Sequence, residues 1–140
     1  MKLVTVYGSL LSGMGNWSWL LNNEHSKLLG TDVLEIPCHM VSFGGFPGLI
    51  VDESVKNKIY VETYQVTDEI YKRIERLEGF VSQDNPVNFY NKCPIETPYG
   101  LSEIYVLNPK DYNLTDTKRG TVPVNNDGVI NWKEHRLSKY

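Results

Sequence analysis

The order of apolar and polar positions predicts more strand than helix. Leu3 to Tyr7 is a run of β-branched and aromatic residues that stops at Gly8, which predicts a buried strand ending in a turn. Asn16 is placed to cap a helix that carries Trp17, Leu20 and Leu21 on one face and ends before Gly30. From Leu34 to Val51, short apolar stretches are interrupted by Pro37, Gly44, Gly45, Pro47 and Gly48, a pattern for two strands joined by a loop. Ile59 to Val66 alternates, with Ile59, Val61, Thr63 and Gln65 on one face and Tyr60, Glu62, Tyr64 and Val66 on the other. Thr67 then caps the clearest helix: Asp68 and Glu69 sit in its first turn, Ile70, Ile74 and Leu77 form one apolar stripe, and Gly79 stops it. Asn88 to Thr97 and Leu101 to Leu107 read as a strand pair turned at Pro98-Tyr99-Gly100. Beyond residue 107 only Val122 to Val124 and Trp132 look anchored. The reading is one domain over 1–140, with a core at about 3–107 and an irregular tail at 108–140.

Composition sharpens this picture. The chain has no alanine, the best helix former, while Val, Ile, Tyr and Thr are plentiful. Its 140 residues are enough for a core that needs no disulfide or structural metal. A net charge of -3 offers no electrostatic footprint for nucleic acid or an anionic membrane. Only Cys38 and Cys93 carry thiols, and no apolar run approaches a membrane span, so the expectation is a cytoplasmic protein with reduced cysteines. His25, Cys38, His39, Cys93 and His135 are too scattered for a zinc spacing, and adjacent Cys38 and His39 point to opposite faces of a strand. Neither a metal nor a cofactor is called for. Neither a P-loop, a dinucleotide fingerprint nor a serine-hydrolase elbow is present.

Two features carry candidate chemistry. Glu78 lies about 80° from Ile70 on the helical wheel, at the edge of the buried stripe. It stands in the last helical turn, where the dipole disfavours an anion, and Glu75 lies three residues behind it. These terms raise its pKa, as a group that must both take and give a proton near neutrality requires. The plainer alternative is a solvated glutamate at a helix end. The second feature is the turn Gly8 to Asn16, with three glycines within eight residues, whose backbone N–H groups could cradle a carboxylate with help from Ser9. The plainer alternative there is a tight glycine turn.

In their order, several pieces resemble the γ-glutamylcyclotransferase superfamily, especially its small branch of γ-glutamylamine cyclotransferase-like proteins. They are Tyr7-Gly8-Ser9-Leu10, Gly13 to Asn16, Gly45-Phe46-Pro47-Gly48-Leu49, Val61-Glu62-Thr63-Tyr64-Gln65-Val66 and Leu77-Glu78-Gly79; Asn131-Trp132 resembles a closing motif. The resemblance implies an α+β fold, a twisted and largely antiparallel β-barrel with flanking helices. It places the catalytic glutamate on Glu78 and substrate binding on Tyr7, Gly8, Ser9, Leu10 and Tyr90. Val61 stands where many relatives have Gly, and Lys92 where many have Arg. The implied reaction converts a small-molecule γ-glutamyl amine or peptide to 5-oxoproline and a free amine. Substrate attack is intramolecular, so one carboxyl group and a set of donors suffice. Other readings are a pocket that binds a small metabolite without turnover, and an interaction domain using Trp17 and Trp19.

Overall fold

A computed structural model describes residues 1–108 and 120–137. Strand β1 (Lys2–Val6) lies inside the main sheet because both its neighbours supply long apolar strands. It pairs antiparallel with β5 (Asn57–Val66), from Lys2 opposite Val66 to Val6 opposite Glu62, and parallel with β7 (Gly100–Leu107). Strands β2 (Ser26–Ile36) and β6 (Tyr90–Thr97) complete the order β2-β5-β1-β7-β6. Thr5, Thr63 and Ser102 are buried across three adjacent strands, and their hydroxyls satisfy one another at 3.1 and 2.9 Å. Polar groups inside the sheet thus cost little.

Strands β3 (Cys38–Ser42) and β4 (Pro47–Val51) form a hairpin extended by the short β8 (Gly120–Thr121). This second sheet starts where Pro37, which has no N–H to give, separates β3 from β2. The expected barrel is therefore not closed: β2 and β6 end opposite edges of one open sheet, and the hairpin belongs to another. The α+β class stands, with antiparallel pairings dominant and two parallel ones, β1 with β7 and β5 with β9 (Val129–Ile130).

Helix α2 (Asp68–Leu77) follows the pattern closely. Thr67 Oγ1 accepts from Ile70 N, Ile70, Tyr71 and Ile74 are buried, and Gly79 takes φ +65° after the last turn. Helix α1 (Gly15–Leu20) does not. Asn16 lies within it instead of capping it: its amide donates to Ser9 Oγ (2.8 Å), and its carbonyl accepts from Trp19 Nε1 (3.1 Å). The helix ends at Leu20 because residues 26–36 take the edge of β5, from Ser26 opposite Val66 to Ile36 opposite Asn57. Ladder pairing outweighs local preference there.

The tail is more ordered than expected over its described part, which holds β8, β9 and α3 (Trp132–Leu137). Val122, Ile130 and Trp132 are buried, whereas Val124 is exposed. The remaining tail positions, 109–119 and 138–140, lie outside the described residues. Among the described residues no helix is long and apolar enough to cross a membrane.

Candidate active site

The first strand delivers Tyr7 to the end of the sheet, and the chain then doubles back. Leu11 N donates to Gly8 O and Met14 N to Leu11 O, both at 2.9 Å. Only Gly13 needs the left-handed region, at φ +84°. Gly8 is required for a different reason: a Cβ there would lie 2.6 Å from Pro47 Cγ. The loop is pinned from behind by Glu62, which is fully buried on β5 and accepts from Ser12 N (2.7 Å), Ser12 Oγ (2.8 Å), Tyr60 OH (3.0 Å) and Tyr64 OH (3.1 Å). The N–H groups of Ser9 and Leu10 have no hydrogen-bond acceptor among the described residues.

Tyr7, Gly8, Ser9, Leu10, Glu78 and Tyr90 all line one cavity of about 280 Å³. Six positions read from the sequence are thus brought together. Glu78 is the residue at the C-terminal cap of α2, with φ -81° and ψ -1°, and Tyr90 N donates to its carbonyl oxygen at 3.3 Å. It keeps some exposed surface yet lines the cavity, and burial pushes its carboxyl up to about 8. The expected rise is present, and its cause is removal from water, with no contribution from Glu75. Glu75 is bound by Lys92 Nζ at 2.6 Å, which also donates to Tyr71 OH at 2.6 Å and lies over the Phe80 ring. Lys92 is therefore engaged behind the cavity and is not among its lining residues.

Three tyrosines surround Glu78. Burial raises the Tyr7, Tyr90 and Tyr105 hydroxyls well above their ordinary value, and the Glu78 charge adds to each rise. All three remain protonated. Tyr7 OH donates to Tyr105 O (2.7 Å) and Tyr90 OH to Pro47 O (2.6 Å), so these two have spent their protons on the backbone. Tyr105 OH is buried with no hydrogen-bond partner among the described residues. It sits in an apolar run, Ile104 to Leu107, where sequence pattern offers no sign that one side chain faces a cavity. The clamp that Glu62 makes with Ser12 has no sequence signal either, although Tyr60 and Tyr64 flank Glu62 on the same strand face.

Cys38 and His39 do point apart: Cys38 is fully buried, with its thiol pushed up to about 12 chiefly by burial, and His39 Nε2 lies 3.1 Å from Asp52 Oδ2. Among the described residues no three His, Cys, Asp or Glu side chains are grouped to hold a metal ion.

Comparisons with known proteins agree with the α+β class. Residues 4–125 match the family described as gamma-glutamyl cyclotransferase, AIG2-like, and the chain belongs to that family. It is similar to a gamma-L-glutamyl-butirosin B gamma-glutamyl cyclotransferase of Niallia circulans, with 28% identity over 137 residues that cover 94% of this chain and 76% of that protein. Its fold is shared with an uncharacterized protein of Pyrococcus horikoshii, at TM-score 0.64 and 23% identity over 99% of this chain and 96% of the other. An AIG2-like protein of Mus musculus aligns at TM-score 0.59 and 18% identity, covering 86% and 85% of the two chains.

Proposed function

We propose that the chain is a γ-glutamylcyclotransferase-type enzyme that converts a γ-glutamyl amine or peptide to 5-oxoproline and a free amine. One observation carries the reading: Glu78 is the only charged side chain among the described residues lining the cavity, and burial tunes its carboxyl to about 8. The family and the relative named for γ-glutamyl cyclotransferase activity support it.

In this reading the substrate's α-carboxylate lies against the loop after β1, where the N–H groups of Ser9 and Leu10 await an acceptor. Tyr7 and Tyr90 can only accept a further hydrogen bond, which suits the substrate ammonium. Glu78 removes a proton from that ammonium, and the freed amine attacks the γ-carbonyl carbon. The new C–N bond closes the ring, and the Tyr105 hydroxyl is free to donate to the oxygen that gains charge. As the original amide C–N bond breaks, its electron pair goes to the leaving nitrogen, which takes the proton from Glu78. The regenerated carboxylate then takes the second proton from the ring nitrogen, leaving the lactam N–H, and passes it to the released amine. One carboxyl group near neutrality serves each transfer. Holding both reacting groups of one molecule in place supplies much of the acceleration.

The test follows 5-oxoproline release from γ-glutamyl amines, γ-glutamyl dipeptides and glutathione. Wild type releases it from at least one class and Glu78→Gln does not, while retaining its fold. Turnover by Glu78→Gln within tenfold of wild type sinks the assignment. Thermal stabilisation by these compounds without any 5-oxoproline marks a binding protein on the same fold.

A further inference from the structure

Phe89 is fixed beside Glu78 by the chain itself. Its N–H donates to Gly79 O at 3.0 Å, and the next residue, Tyr90, donates to Glu78 O. A Cβ on Gly79 would lie 3.1 Å from Phe89 Cβ, so glycine lets the two segments touch. Phe89 and Phe46 both line the cavity, with centroids 6.1 Å apart, and Phe43 stacks on Phe46 at 5.1 Å and 15°. Phe46 is 39% exposed and Phe89 half-buried, while Tyr7, Leu10, Tyr90 and Tyr105 are buried. The aromatic pair therefore forms the open end and the first loop the closed end.

Because Glu78 hands its proton to the leaving nitrogen, whatever that nitrogen carries begins at Glu78 and extends toward Phe89 and Phe46. An amino acid or peptide as leaving group carries a negative charge, on a free amino acid next to that nitrogen. Among the described residues the lining offers it no Lys or Arg, and the ionised form of Glu78 that takes the ammonium proton would repel it.

Resting on the cyclotransferase reading, we infer that Phe46 and Phe89 form an aromatic leaving-amine subsite, selecting γ-glutamyl amides whose amine bears an aromatic or other apolar body and no carboxylate. Ring stacking supplies the attraction, and the absence of a cation supplies the discrimination.

The experiment compares γ-glutamyl-phenethylamide with γ-glutamyl-phenylalanine, which differs by the carboxylate, and with γ-glutamyl-methylamide, which lacks the ring. The expected kcat/KM for the phenethylamide exceeds both others by roughly tenfold. Phe46→Ala should collapse the preference over the methylamide, and Phe46→Arg should shift it toward γ-glutamyl-phenylalanine. Equal rates on the phenethylamide and γ-glutamyl-phenylalanine, or a ratio unmoved by Phe46→Ala, overturn the subsite and leave the cyclotransferase reading standing. Calorimetric titrations with the same compounds separate the two ideas from the other side: tighter phenethylamide binding without 5-oxoproline upholds the subsite and removes the enzyme. Neither binding nor turnover overturns both.

Discussion

Taking a carboxyl group out of water raises the free energy of its charged form, and at Glu78 this effect acts on stability as well as on reactivity. In the unfolded chain the group ionises near its ordinary value, whereas in the folded chain it holds its proton to about 8. Below the ordinary value both states are protonated and the group costs nothing. As pH rises between the two values the unfolded chain alone releases the proton, so folding stability falls, and above about 8 the loss levels off. Glu78→Gln removes this penalty. Its melting temperature should match wild type near about pH 4 and exceed it increasingly up to about pH 8. Parallel melts of the two proteins check this, and a gap that stays constant with pH contradicts it. In the proposed reaction kcat/KM should rise with pH through an apparent value near 8, set by Glu78 in the free enzyme alongside the ammonium of the free substrate. At this scale the sequence located the residue and the direction of its shift. The cause was hidden, because burial by Tyr90 and Tyr105 and the capture of Glu75 by Lys92 are long-range contacts.

Elements hold the site through a joint that no local pattern displays. Glu62 ties β5 to the loop after β1 through both the N–H and the hydroxyl of Ser12, and Tyr60 and Tyr64 complete its shell. A glutamine has one oxygen where the carboxylate has two, so with its NH2 at the Oε2 position the Ser12 and Tyr60 hydroxyls lose their acceptor and must turn their protons away. Glu62→Gln should cost about 1–3 kcal/mol in urea unfolding and weaken 5-oxoproline binding by loosening the loop. Ser12→Ala, which keeps the N–H donor, should cost about 1 kcal/mol. Glu62→Gln as stable as wild type would show that the clamp contributes nothing. Where elements carried strong local signals the sequence displayed them: the Thr67 cap, the α2 stripe, the alternation of β5 and the turn between β6 and β7. Strand β2 gave no such signal. It lies at a sheet edge, and its exposure alternates from Gly30 to Ile36. The less exposed face nevertheless carries Gly30 and Asp32 beside Leu34 and Ile36, while apolar Val33 stands on the exposed face, so polarity does not follow the alternation.

Across the whole molecule, the cavity exists because two sheets come close at glycines. A Cβ on Gly48 of β4 would lie 2.6 Å from Leu107 Cγ of β7, and Gly8 meets Pro47 at the same distance from its own would-be Cβ. The Tyr90 hydroxyl crosses the same seam to Pro47 O. The sequence held the glycines but not their partners, since a close approach between strands far apart in the chain leaves no periodic trace; the open sheets in place of a barrel were hidden for the same reason. Adding a branched side chain at the seam must push the hairpin away from β7, and the cavity lining moves with it. Gly48→Val should lose about 1–3 kcal/mol or more of stability through overpacking and weaken 5-oxoproline binding by roughly tenfold or more, since a misplacement of about 1 Å is costly at a positioned site. Ile130→Ala is the counterpart, for Ile130 is buried beside β5 and is not among the residues lining this cavity. It should lose about 2–5 kcal/mol while the folded protein binds 5-oxoproline within about twofold of wild type. Chemical denaturation gives the first quantity and calorimetric titration below the melting point gives the second. If Gly48→Val bound the ligand as wild type does while Ile130→Ala did not, the seam between the sheets would not be what shapes the site.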